Sequence, residues 1–474
     1  MRISKEQKQE EKIFKLQQEL DLSKKENKSL KNKLATSERK RKSLMGDSRK
    51  RKLRSSSISL QPIKRHKFAE FIVSLSVQLY LRTNCGFRGV VIILGILKEL
   101  LNWDLDIPCH NSIENWVKKS GLSIYKEPKN KNRTEGDYAL VVDESMMIGS
   151  QKILLTLGMK AEHEGSPLSH GDVEVLGMSV RQSWNSEAVC SELDDVSCRL
   201  NSRPSYVISD NASVMNKGIR DFNVPHIRDV SHTLGMFMER VYKKSEEFNK
   251  YMKELAQVKF REVMNPVAYL LPPKQRTIAR FMNLSKVVDW SEKILKNYIQ
   301  LTRQERNTFS FIPRYASLIE ELRTVLTCIN SIEYEIKHNG LSHQTLKNCI
   351  NFMKSDLFFG NERMLQIAGQ ILGWLREEIR KLPSETTCWN ASSDIIESLF
   401  GVYKSKKSPN PLHGVTPFVL MLPLHTRIGT KNGSASFDFK SSLESVFMSD
   451  IEQWKKEKLL ENQVYKRIRK LNAA

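Results

Sequence analysis

The sequence predicts an α/β core built on a mixed five-stranded sheet with helices, interrupted by a large all-α insertion and preceded by helical segments. Three observations carry this. Short β-type runs at 138–142, 152–159 and 173–182 come in quick succession, and two more at 205–209 and 226–230 alternate with helical stretches at 186–200 and 212–221. Residues 232–385 then read as almost wholly helical, with Pro266, Pro272, Pro273 and Pro313 as punctuation. The stretches before residue 128 show helical rather than alternating patterning.

A chain of 474 residues has room for two to four domains, and 40% hydrophobic residues suffice for a core. The formal net charge of +22 calls for a polyanionic partner, with nucleic acid the obvious one. The excess is concentrated: residues 1–65 hold 21 Lys/Arg against 8 Asp/Glu. Seven scattered cysteines without a CxxC pair fit a reducing compartment, not a disulfide framework or a zinc cluster. The N-terminus has no apolar leader, and the run 90–97 is too short to span a bilayer, so no membrane partner is expected.

Within residues 1–37, Ile13, Leu20, Asn27 and Leu34 recur at one heptad position and Leu16, Ser23 and Leu30 at the other. A lone Asn on such a seam fits a parallel two-stranded coiled coil, and hence a homodimer or higher oligomer. A solvated single helix or a disordered tail is the alternative. Residues 38–61 form a basic linker in which Arg39, Lys40, Arg41, Lys42, Arg49, Lys50, Arg51, Lys52 and Arg54 would meet DNA phosphates. In a nucleated cell the same run reads as a nuclear import signal; in a prokaryote the chain would sit in the cytoplasm or nucleoid. Residues 62–128 read as a helical module with helices at about 65–82, 87–102 and 111–120. The third has a capping Asn or Ser, a stripe of Ile113, Trp116 and Val117, and Gly121 at its expected end. With Asn115, Lys118 and Lys119 as its DNA-facing residues it resembles the recognition helix of a helix-turn-helix module. An ordinary three-helix bundle is the competing reading.

The candidate chemistry rests on three carboxylates. Asp143 ends the apolar run 138–142, Asp210 ends the run 206–209, and Glu397 lies in the first turns of a helix beginning near Ser392. An Asp at a strand end is often only a turn or helix cap. Here two such residues precede a helical Glu, and two strand ends and a helix can converge. Glu144 competes with Asp143, whereas Asp194 and Asp195 lie mid-helix on an expected solvated face.

In this order the chain resembles a DDE/D-type DNA transposase with an RNase H-like catalytic core and an all-helical insertion, similar to the hAT and IS4-like groups. The likeness covers about residues 136–407. The core would fall in 136–240 and 386–430, the insertion in 241–385 and a helical tail in 431–474. Asp229-Val230-Ser231-His232 matches the [C/D]xxH motif of hAT-like enzymes, and Glu397 and Lys404 keep the Glu-x6-Lys spacing of IS4-like ones. The Tyr and Arg of the latter signature are here Asn390 and Ser393. The resemblance implies two Mg2+ or Mn2+ ions per active site, held by Asp143, Asp210 and Glu397, with oxygen donors suited to such hard cations. Asp229, His232 and Lys404 would support the site: His232 as an orienting or strand-contacting group or a structural histidine, Lys404 as a phosphate clamp or one more surface lysine. It also implies an insertion-domain aromatic that stacks on an extruded base; Trp290 and Trp374 read rather as core residues. The partners would be double-stranded DNA at transposon ends and at the target. A catalytically silent, domesticated descendant acting as a DNA-binding regulator is the alternative, and a plain nuclease a third option.

Overall fold

A computed structural model describes residues 62–103, 106–127, 137–144, 151–274, 281, 284–408, 410–429 and 437–472. All of them lie in one compact unit. The expected coiled coil of 1–37 and the basic residues of 38–61 lie outside the described residues.

Three helices come first: α1 (Glu70–Arg82), α2 (Phe87–Leu101) and α3 (His110–Lys126). The sheet follows as β1 (Tyr138–Glu144), β2 (Lys152–Lys160), β3 (Glu174–Arg181), helix α4 (Ser186–Leu200), β4 (Val207–Ser209), helix α5 (Ser213–Phe222) and β5 (His226–Arg228). Its spatial order is β3-β2-β1-β4-β5. β1, β2 and β3 form an antiparallel meander, while β4 runs parallel to β1 and β5 parallel to β4. The two crossovers that parallel pairing requires are supplied by α4 and α5.

Alternation along the strands divides the interior in two. Tyr138, Leu140 and Val142 of β1 join Leu154 and Val207 in a small core under α4 and α5. Ala139 and Val141 join Ile153, Leu155, Ile208 and Ile227 in the main core. The main core is continuous with that of the insertion and with helix α13 (Asp394–Lys406).

The insertion consists of α6 (Val230–Tyr242), α7 (Glu246–Glu262), α8 (Leu284–Lys296), α9 (Arg303–Thr308), α10 (Ala316–Asn339), α11 (His343–Asp356) and α12 (Glu362–Ile379). Pro266 and Pro313 each stand in the first positions of a short 3-10 turn, where the missing N–H costs nothing. Residues 229–230, expected as the end of a strand, instead start α6, because Asp229 caps it. The chain closes with α14 (Met421–Ile428), α15 (Phe439–Ser445), α16 (Met448–Lys458) and α17 (Gln463–Asn472).

Two expectations change in the N-terminal module. Gly121 does not end α3, which runs on to Lys126. A Cβ there would lie 1.9 Å from the carbonyl oxygen of Leu420, so the glycine allows the chain to cross closely. The C-terminal segment is not a separate tail. Lys119 donates to the carbonyl of Leu443 at 3.1 Å, Arg65 to that of Glu444 at 2.7 Å, and Tyr125 meets Trp454 edge to face.

Candidate active site

Strand parity decides where the carboxylates point. Val141 pairs with Ile208 across the parallel β1–β4 ladder, and two residues further on each strand come Asp143 and Asp210. Neighbouring strands lie about 4.8 Å apart, so the two aspartates emerge side by side on the main-core face. Glu144 belongs to the other face and pairs with Lys152 of β2. The competition between Asp143 and Glu144 is therefore resolved in geometry: only Asp143 faces Asp210.

Helix α13 brings the third carboxylate. Ile396, Leu399 and Phe400 bury one side of it in the main core, leaving Glu397 exposed at its first turn. The helix is fixed through Asp229, which is fully buried at the end of β5. One oxygen of Asp229 accepts from the backbone N–H of Ser393 at 2.6 Å and from its hydroxyl at 2.9 Å. The other accepts from the His232 backbone N–H at 2.8 Å and pairs with His232 Nδ1 at 2.9 Å. His232 Nε2 in turn lies 3.6 Å from Glu397 Oε1. A single carboxylate thus caps α6, orients its imidazole and anchors the helix of Glu397.

The electrostatics follow from this crowding. Burial, then the negative charge of Asp210, pushes the Asp143 carboxyl up to about 7; Glu397 adds to the rise, while the Glu144 backbone N–H and His232 oppose it. His232 is raised to about 9, chiefly by its hydrogen bond to Asp229 and against the effect of burial, with Glu397 and Asp210 contributing. Burial alone would push Asp229 up, but its bonds to His232 and Ser393 outweigh it and hold the group below the usual carboxylate range. At neutral pH the site is an imidazolium between carboxylates.

The insertion is tied to the same place. Lys337 of α10 bridges Asp394 and Glu333 at 2.5 Å each, and Ser231 donates to Glu333 at 2.6 Å. Beside them Tyr334 is 62% exposed and stacks on His338. On the far side Arg228 joins Glu377 and Glu378 at 2.7 and 2.6 Å. The chain returns from the insertion through Trp389, which bridges to Leu341 and Glu162 and stacks on Tyr206. Asn390 Oδ1 then accepts from His163 Nδ1 at 2.8 Å, and the Val230 N–H donates to the Ala391 carbonyl at 3.0 Å.

The remaining candidates separate cleanly. Lys404 is exposed on the helix of Glu397, its Nζ 5.7 Å from the Phe400 ring centroid. Lys119 is turned inward and bonded; Lys118 pairs with Glu114 at 2.6 Å; Asn115 is half-buried. Helix α3 is the centre of its module, packed against residues 417–428 and against α15 and α16, with Asn111, Glu114, Asn115 and Lys118 along its partly open face. Lys119 ties the helix to the C-terminal segment, whereas Lys118 pairs within its own helix. Trp374 is buried, and Trp290 is partly buried and donates to Leu270, as expected of core residues. Ser393, Glu333 and Lys337 escaped the sequence reading. In the sequence Ser393 stands only as the departure from the Arg of the IS4-like signature, not as a donor to Asp229.

Among the described residues, no group of three or more His, Cys, Asp or Glu is closed up to hold a metal ion as it stands. The donor chemistry nonetheless suits a hard divalent cation. Asp143 lies near Asp210 and Glu397, its carboxyl is raised first by burial and then by their charges, and a cation among them would relieve that repulsion. No protein-family model and no curated protein matches this chain. The assignment of function therefore rests on the site itself.

Proposed function

We propose that this chain is a DNA transposase that binds transposon ends and catalyses divalent-metal-dependent phosphodiester hydrolysis and strand transfer. The observation that carries the reading is the meeting of Asp143, Asp210 and Glu397, from β1, β4 and α13, around the Asp229–His232 pair. The strand order, with an antiparallel meander first and parallel strands after it, supports an RNase H-like reading of the core. Mg2+ or Mn2+ bound by the three carboxylates would supply an activated oxygen nucleophile and stabilise the leaving oxygen. Asp229 orients His232, and the imidazolium of His232 holds Glu397 at the edge of the site. Lys404, exposed on the same helix two turns on, would meet a DNA phosphate. The +22 charge supplies the general attraction to DNA.

The test is cleavage, in Mn2+, of a duplex carrying the inverted repeats that this reading expects to flank the coding region. The expected outcome is a nick at the repeat end and transfer of the freed 3′-hydroxyl to plasmid, both lost in Asp210→Ala. An Asp210→Ala protein that nicks like the parent contradicts the reading. The open arrangement of the carboxylates favours one second reading, a DNA-binding regulator without catalysis. Tight binding of the repeats with no nicking in either metal would establish it.

A further inference from the structure

Helix α2 is apolar on two sides between its charged ends, yet only one of those sides is packed. Val90 and Leu94 are buried. On the opposite side Ile92, Ile96 and Leu100 are 63, 49 and 76% exposed. Their spacing of four puts them in one stripe. Exposed Ile107 widens it, since its Cδ1 lies 3.8 Å from where a Cβ on Gly95 would sit. A contiguous apolar helix face in water marks an interaction site.

The same face carries a charge at each end. Arg88 lies one turn before Ile92, and Glu99 three turns after Arg88; both are exposed. Among the described residues neither is in an ion pair. A stripe that runs positive, apolar, negative is complementary to itself turned end for end. Two copies of α2 laid antiparallel, with a two-fold axis near residues 93–94, set Ile92 of one against Ile96 of the other. The same operation sets each Arg88 beside the other copy's Glu99. An isologous pairing of this kind closes at two subunits.

We infer that the exposed face of α2 is a homodimer interface occupied, antiparallel, by α2 of a second copy of this chain. The inference is independent of the catalytic reading, and its test does not involve DNA. Sedimentation equilibrium on the full chain decides it. Arg88→Glu and Glu99→Arg each oppose like charges across the axis, so each is expected to raise the dimer Kd about tenfold. The double variant R88E/E99R restores the pairing and is expected to return the Kd to within about threefold of the parent. Ile96→Lys is expected to leave a species of 54.8 kDa. All three positions are exposed, so matching thermal melts show that the variants fold. Single variants that associate like the parent, a double variant as weak as the singles, or a parent that stays at 54.8 kDa overturn the inference. A dimer insensitive to Arg88→Glu but abolished by Leu20→Pro would assign association to residues 6–37 instead.

Discussion

At the scale of single residues, Asp229 is a junction of the candidate site. It joins β5, α6 and α13 through one buried carboxylate, so its loss disturbs three elements at once. Asp229→Asn keeps the shape but removes the charge that faces His232. The variant is expected to lose about 1–3 kcal/mol of stability in urea titrations, the range for a broken buried, charge-assisted hydrogen bond. Its His232 should also titrate near the ordinary imidazole value rather than near 9, as read by NMR. Asp143 shows the opposite sign. Its folded value of about 7 lies above the ordinary 3.8, so its ionisation is penalised in the fold. That penalty is absent below about pH 4, grows between 4 and 7, and is complete above 7. Without metal, Asp143→Asn is expected to stabilise the protein at pH 8 and to make no difference at pH 4. The group is half-buried, so solvent screening limits the gain to about 1–2 kcal/mol. Scans at the two pH values check it.

At the scale of elements, the sheet was legible and the surroundings of the helices were not. Runs such as Tyr138-Ala139-Leu140-Val141-Val142 are apolar on both faces because both faces are covered, and such runs announce themselves. The site was legible as a set, since Asp143, Asp210 and Glu397 stand at ends that a sequence can mark. What stayed hidden depended on partners far along the chain. The preference for Asp143 over Glu144 needs the knowledge of which sheet face carries α13. The burial of Lys119 needs Leu443, and the role of Gly121 needs Leu420. In the sequence, Gly121 looks like a helix stop and Lys119 like a surface charge. Gly121→Ala is a sharp test of the packed reading. A helix end would tolerate the methyl group, whereas a 1.9 Å approach to a backbone oxygen cannot. Overpacking of this kind is expected to cost about 3 kcal/mol or more, seen as a lowered urea midpoint or loss of soluble protein.

At the scale of the whole molecule, pH and charge set the conditions of action. His226 is held near 3 by burial, with Lys381 and Arg228 adding to the effect, and His425 near 4 by burial beside His170 and Lys406. Both are neutral in the fold and titrate near 6.5 when unfolded. The contribution of these two histidines to stability is therefore full above about pH 6.5 and falls as pH drops toward 4, opposite in sign to that of Asp143. Denaturant titrations of the parent and of His226→Gln at pH 7 and pH 5 isolate the effect: the variant is expected to gain about 2 kcal/mol on the parent at pH 5 relative to pH 7. The central claim is that Asp143, Asp210 and Glu397 together form a divalent-cation site. It is tested most directly by the Mn2+ binding isotherm of the purified full chain, followed by electron spin resonance. The wild type is expected to bind Mn2+ saturably at this site, and Asp143→Asn, Asp210→Asn and Glu397→Gln each to weaken that binding at least about tenfold. An isotherm unchanged across all three variants would contradict the account.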